Sequence, residues 1–520
     1  MAMFARSKLR LDKIVPYLLE PQSVLSMALL RIALGVCVMF QAYRKGARVF
    51  SGTAEQDGLA FVYQLFEWVK YSPDQAELLA FCWFVSGLAF AAGFMFRVTA
   101  PICTLLTIYQ FLISPEAYLN HEYMAVIFLL LMSVGPSHHR LSIDRLIWRF
   151  PGFAPRYHLL TLRIQTEIIL VYAGLVKINA DWLQLQPLSN WLIDLQDLFF
   201  LGSLWNQQWA VAVGAYGIIL LHVFGAPLLF FRRTRLWIFL LYIPFHLTNA
   251  MIFLIDIFPW MTIAATTLFF EPDWPGRVLA AVSARIRQVR DWSYHAIEQT
   301  AVMHQPGRLD LMLLSFYTLW LFMQVVIPMR PMLYPGPVAW TGEGHRFSWR
   351  MMLDRETCPT MLFVLTDQDS QVFFVVNPKT LMFKPKVERI CREPDHILRL
   401  AHQIRERHIE DFHLPVNTRI HAVIMKSVNY RAASLYADPT IDLGQEKLSF
   451  KHYSWILAQQ KLNALPPPFK NFENNSEMID WQEAVQLTDI DADGTYDCQS
   501  YQPFKTGQGV YCKRQPHGEL

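Results

Sequence analysis

The chain has 520 residues, 53% of them hydrophobic and 17% charged, with a formal net charge of +3. Soluble domains carry about a quarter charged residues, so this composition points to a membrane protein. A net charge this small, with no Lys/Arg-dense face, excludes nucleic acid as a partner.

The length admits two or more domains, and the texture divides the chain. Residues 1–21 form a basic N-terminal segment, 22–331 a multi-span region rich in Leu, Phe, Ile and Trp, 332–465 a region of ordinary soluble texture, and 466–520 a tail. The apolar run after MAMFARSKLRLDK is too long for a removable signal peptide and lacks a small-residue cleavage site. It reads as the first span.

A span needs about 20 mostly apolar residues. In chain order the candidates are Val24–Tyr43, Ala76–Phe96, Val98–Ile113, Tyr123–Val134, Leu162–Ile178, Ala210–Phe231, Leu236–Phe253, Leu254–Phe270 and Leu309–Ile327, about nine in all. Gly58–Tyr71 is amphipathic and reads as a surface helix. With the N-terminus in the cytoplasm, alternate loops are basic: Arg97; Arg140 to Arg156; Arg232, Arg233 and Arg235; then Arg277 to Arg290. The opposite loops Ser114–His121 and Asp181–Gln208 contain neither Lys nor Arg, and Arg44, Lys45 and Arg48 are the exception. This charge pattern predicts a cytoplasmic N-terminus, an outer C-terminal domain and a multi-pass protein of the cell membrane.

Ionisable groups at membrane depth are functional candidates by default. Lys177 ends the run IILVYAGLV. It is either a snorkelling lysine or a desolvated amine, neutral and able to act as a base. His121 opens the fourth span, His246 lies in the seventh and His222 in the sixth; for His222 the structural reading is preferred. Glu167 lies ten residues before Lys177 on one helix, roughly 15 Å away at the helical rise, too far to pair with it. Neither Glu167 nor Asp256 receives a role.

After Arg330 the stretch RPMLYPGPVAWTGEG reads as a linker. MLFVLT and QVFFVV read as strands around a turn at Asp367–Ser370. His396–Arg407 reads as an amphipathic helix, Ile420–Lys426 as a strand and Lys451–Lys461 as a helix. The fold class is a mainly α membrane protein followed by a mixed α/β, β-rich domain. Cys37, Cys82 and Cys103 read as small hydrophobes. Cys498 and Cys512 flank a short polar loop and could pair on an oxidising side. With no CxxC pair, no metal site is expected. Asp489–Asp497 begins like a calcium loop, but Ser500 stands where the bidentate acid belongs, so a solvated acidic turn is preferred.

The segment Leu162–Trp182, LRIQTEIILVYAGLVKINADW, closely resembles the signature region of vitamin K-dependent γ-glutamyl carboxylases. Asn120–Tyr123, His138–Asp144 and Phe245–Phe258 resemble the same family in order, as do the weaker matches His345–Met352, Lys426–Arg431 and Ala437–Leu443. The chain looks like a compact bacterial relative with the HTTM-type membrane domain. The resemblance implies oxygenation of vitamin K hydroquinone, or another reduced quinone, coupled to carboxylation of glutamates in an exported peptide or protein, with O2 and CO2 as co-substrates and the lipid bilayer as surroundings. A glutamate γ C–H is too weak an acid for any side-chain base, and the resemblance implies a strongly basic oxygenated quinone that could remove that proton. The resemblance makes Lys177 the base that deprotonates the hydroquinone, with His121 and His246 as further catalytic groups, and Asn120, Asn249 and Trp182 as cofactor contacts. Two departures stand out: Val176 replaces a second lysine of the animal members, and Asp354 replaces a histidine after the W-x-M-M motif. A quinol epoxidase or oxidoreductase without carboxylation is therefore a second reading. A non-enzymatic transporter or sensor is the third; interrupted inverted repeats, which would favour a transporter, are not found.

Overall fold

The computed structural model describes residues 14–50, 61–193, 204, 207–285, 307–459, 501–506 and 509–514, apart from positions 70–71, 114, 254, 370–371, 383 and 432. Each of the nine apolar segments forms a helix: α1 (Leu25–Phe50), α2 (Ala76–Ala92), α3 (Phe96–Leu112), α4 (Asn120–Val134), α5 (Arg156–Leu175), α6 (Gln208–Ile219), α7 (Arg235–Ile252), α8 (Phe258–Thr266) and α9 (Arg308–Val326). Among the described residues, five helical stretches, beginning at Leu25, Pro73, Gln208, Arg235 and Arg308, are long and apolar enough to cross a membrane. The expected nine spans are thus not established. Phe96–Leu112, Asn120–Val134 and Phe258–Phe269 are apolar but shorter, and α5 carries Arg163 and Glu167.

The bundle is pinned by a charge within its first apolar run. Arg31 of α1 is fully buried. Its guanidinium donates to the carbonyls of Ala91 (3.3 Å), Ser137 (2.8 Å), Arg140 (3.2 Å) and Leu141. Asp144 accepts from the amides of Met95 (2.7 Å) and Phe96 (2.8 Å), satisfying donors that open α3. Between these groups the chain turns at Gly93, φ +61°, where a Cβ would lie 2.5 Å from that of Ser142 and 2.9 Å from Arg31 Nη1. Only glycine combines that φ with so close an approach. Two short strands, β1 (Pro21–Ser23) and β2 (Phe153–Pro155), pair antiparallel near the same end. The core between these helices holds Val38, Trp83, Phe90, Phe128, Ile169 and Leu268.

The C-terminal region is built on one antiparallel sheet of β3 (Glu356–Thr366), β4 (Val372–Val376), β5 (Arg419–Val428), β6 (Ser434–Leu435), β7 (Tyr501–Thr506) and β8 (Gly509–Arg514), in the order β6-β5-β3-β4-β8-β7. β3 and β5 pair from Glu356↔Val428 to Thr366↔Arg419. Helix α10 (Pro394–Phe412) covers the sheet with Ile397, Leu400, Ala401, Ile404 and His408, the three- and four-residue spacing of one helical face.

Three expectations change here, and one disulfide is added. The stretch after Arg330 is not a free linker: Ile327–Leu333 is a 3₁₀ helix, Val338–Thr341 a helical turn, and Trp340 sits in the core of the sheet region. The described part of Gly58–Tyr71 is not helical. Phe61 joins that same core and Tyr63 stacks on Phe111, because rings that can be buried between two regions have no reason to lie on a membrane surface. Residues 451–459 are not helical either; Tyr453, Trp455 and Ile456 are buried, and Ile456 bridges Ala437. Cys358 and Cys391 form a disulfide with Cα atoms 6.5 Å apart. Cys498 and the loop Asp489–Asp497 lie outside the described residues.

Replacing Arg31 with Met keeps the volume but leaves several buried carbonyls unpaired, each costing about 1–3 kcal/mol. We expect the melting temperature of purified Arg31→Met protein, followed by tryptophan fluorescence in detergent, to fall well below that of wild type.

Candidate functional site

A cavity of about 420 Å³ opens where the bundle meets the sheet region. Lys177, His121, Asn120, Asn249 and Trp182 all border it. Lys177 is positioned by the end of α5. Its own amide closes on the Gly174 carbonyl (3.1 Å) as the helix terminates. Asn179 then caps a short helix, α6′ (Ala180–Leu183), its side chain accepting from the Trp182 amide at 3.1 Å. This cap fixes Trp182, whose ring lies 5.0 Å from Lys177 Nζ and whose Nε1 donates to the Ala215 carbonyl at 3.1 Å.

The Lys177 side chain is buried, and Nζ donates to two carbonyls, Ala173 (3.2 Å) and Met351 (3.0 Å). Carbonyls only accept. A neutral amine has two hydrogens, so these two bonds leave its lone pair uncommitted. Among the described residues no carboxylate lies within ion-pair distance of Nζ. The snorkelling alternative is excluded for this conformation by the burial of the amine.

His121 opens α4. Its Nε2 is buried, makes no hydrogen bond among the described residues, and lies 3.7 Å from Asp256 Oδ2. Asp256 in turn pairs with Arg44 at 2.9 Å, and Lys45 pairs with Glu122 at 2.8 Å. Arg44 and Lys45, two of the three basic residues that break the loop charge pattern, are therefore counterions of shielded acids at this end of the bundle, which also gives Asp256 a place. Asn120 donates to the Arg350 carbonyl at 3.0 Å and accepts from Tyr118 at 3.0 Å.

His246 is fully buried but does not border the cavity. It stacks on Tyr242, ring centroids 5.5 Å apart, and meets Phe245 edge-on at 4.9 Å. His222 borders the cavity instead. It lies in a π-helical turn, Leu220–Gly225, that packs against Gly174, where a Cβ would come within 2.7 Å of the His222 Cβ. Its Nδ1 donates to the Ile218 carbonyl at 2.9 Å, since a carbonyl only accepts. π-turns of this kind are frequent at functional sites, but nothing in the apolar sequence of α6 marks one.

The sheet region supplies the rest of the wall: His345, Arg350, Met351, Asp354, Glu356 and Arg392 among others. Asp354 pairs with Arg350 at 2.6 Å. Burial holds the His345 imidazole down to about 3, with Arg350 and Arg392 adding to the effect, so it is neutral at physiological pH. Burial also raises the Glu356 carboxyl, in spite of Lys426 at 2.8 Å. Only the SWRMM segment in the sequence pointed toward this wall.

Two family models match the chain. Residues 19–274 match the HTTM domain, and residues 309–462 match the vitamin K-dependent gamma-carboxylase lumenal domain. The chain belongs to the vitamin K-dependent gamma-carboxylase family. No solved structure matches it. With its long apolar helices, this member of the family is a multi-pass membrane protein, and the cavity lies between the parts matched by the two models.

Beside the cavity, Arg346 faces two carboxylates, Glu393 at 2.5 Å and Asp395 at 3.0 Å. Burial pushes Glu393 up to about 8 against the pull of Arg346. Burial also raises Asp395, but Arg346 more than offsets that and holds it below its ordinary value. One proton on Glu393 makes the buried trio neutral. Because the folded-state value lies above the ordinary 4.5, this stabilisation is complete below that value and is lost as pH rises through about 8. The thermal stability of wild type relative to Glu393→Gln is therefore expected to decline between pH 5 and above pH 8, as read by melting curves in matched buffers.

Proposed function

We propose that this protein carboxylates glutamates of an exported peptide or protein, coupled to oxidation of vitamin K hydroquinone or a similar reduced quinone to its epoxide. The observation that carries the reading is Lys177: a buried amine whose hydrogens are taken by the carbonyls of Ala173 and Met351, in a cavity shared with His121, Asn120 and Asn249. The residues fit a reduced quinone. Trp182, Trp191, Phe245, Phe253 and Phe258 border the cavity as flat apolar surface, and the buried, unbonded Nε2 of His121 offers a partner for a ring oxygen. When bound with O2, the quinol supplies the base strength that the weak acidity of a glutamate γ-carbon demands.

In this reading the Lys177 lone pair receives the hydroxyl proton, and the two carbonyls stabilise the resulting ammonium by charge-assisted bonds. His121, steadied by Asp256, holds the ring oxygen. Asn120 and Asn249 orient the ring, with Trp182 as a wall. His246 acts from behind, through its contact with Phe245. The apolar bundle excludes water, which strengthens each of these interactions. The loop charges support a cytoplasmic N-terminus and an outer sheet region, so the quinone enters from the bilayer and the polypeptide from the outer face. The Arg350–Asp354 pair, where the family carries a histidine, favours the second reading, quinol epoxidation alone.

Purified protein given reduced vitamin K, labelled bicarbonate and a glutamate-rich peptide distinguishes these readings. Label in the peptide supports carboxylation, and epoxide without label supports the second reading. Neither product, with quinol binding demonstrated, sinks both. Lys177→Ala should lower epoxide formation by about 10²-fold or more, the usual worth of a general base; full activity in that variant would remove the assignment.

A further inference from the structure

Asp181 stands one residue before Trp182 on α6′, and it is held by side chains of the sheet region. Arg431 meets it with both guanidinium nitrogens, Nη1 to Oδ2 at 2.8 Å and Nη2 to Oδ1 at 2.7 Å. Asn429 donates to Oδ2 at 2.7 Å. A bidentate, charge-assisted arrangement fixes orientation as well as distance. Both partners are largely shielded from solvent, their side chains 17% exposed.

The turn that presents these donors is itself constrained. Asn429 and Tyr430 have φ of +51° and +63°, a left-handed pair that persists only where the surroundings hold it. The surroundings are the cavity wall: the Asn429 amide donates to the Arg355 carbonyl at 2.8 Å, and the Arg355 amide donates back to Asn429 Oδ1 at 2.8 Å. Arg355 borders the cavity. One turn therefore joins the Arg355 wall to the short helix that sets Trp182 against Lys177.

We propose that Asp181, Asn429 and Arg431 are positioning residues that lock the Ala180–Leu183 helix, and through Trp182 keep Lys177 enclosed in its carbonyl-bonded position. Without the clamp, α6′ keeps its Asn179 cap, the Trp182 indole bond and the bond from the Tyr216 hydroxyl to the Leu183 carbonyl at 2.8 Å, but loses its charged tie to the sheet region. The Lys177 amine then spends more time open to the cavity. The consequence for chemistry rests on the proposed role of Lys177, but the clamp itself does not.

The test reads Lys177 directly. Full-length protein in detergent is treated with a small amine-acylating reagent at fixed pH, and the rate at each lysine is followed by mass spectrometry. Lys386, buried in the sheet region beside Phe61, serves as the internal reference. Arg431→Gln and Asp181→Asn should each raise Lys177 labelling on the order of tenfold, the effect of losing a charged hydrogen-bonding partner, with Lys386 unchanged. Arg431→Lys, which keeps the charge but not the fork, should fall between. Unchanged Lys177 labelling in both variants overturns the proposal. So does a parallel rise at Lys386, which would mean general loosening of the sheet region. Either result is obtained whether or not the protein oxidises quinol, and activity in Lys177→Ala would leave the labelling result intact.

Discussion

The bond from Lys177 Nζ to the Met351 carbonyl is the interaction on which the site depends. One end belongs to the helical bundle and the other to the segment leading into the sheet. A lysine buried in an apolar bundle is costly if charged and unbonded. Here the bundle supplies one acceptor, Ala173, and the sheet region the other. The cavity wall is completed by the same segment, Arg350 to Glu356. Neither half would shape this site without the other.

The junction is correspondingly rich in charge. Arg44–Asp256 and Lys45–Glu122 close the bundle beside His121. Arg431–Asp181 joins bundle to sheet beside Trp182, and Arg346 with Glu393 and Asp395 fixes the sheet beneath Tyr63, which lies 5.0 Å from its guanidinium carbon. Partly buried pairs of this kind set geometry more reliably than they add stability. Around a site whose reacting groups must be held to within about 1 Å, geometry is the quantity that matters.

At the opposite end of the bundle, charge does a purely structural task. Arg31 and Asp144 satisfy the carbonyls and amides of the Gly93 turn and the chain that follows Ser137. Water cannot serve these groups once they are enclosed, so side chains must.

The sequence by itself determined much of the local structure. Apolar runs marked every one of the nine helices, because a helix bonded within itself needs only side chains suited to its surroundings. The short apolar run MLFVLT, ended by a polar turn, and the spacing of His396–Arg407 marked strand and helix for the same local reason. The segment Leu162–Trp182 pointed to Lys177, and the family followed from it. Only the tertiary structure decided which polar groups meet. Arg31 reads as one arginine in an apolar run until the carbonyls it binds, some 60 to 110 residues away, are brought around it. His222 and His246 are both histidines in apolar helices, and only the assembled chain shows that His222 borders the cavity, at a π-turn packed on Gly174, while His246 packs behind it against Tyr242 and Phe245. Residues 451–459 and the stretch after Arg330 depart from their local pattern because Trp455 and Trp340 turn inward to a core assembled from distant strands. Periodicity reports which face of an element is apolar, but the partner of a charge and the position of a cavity are properties of the assembled chain.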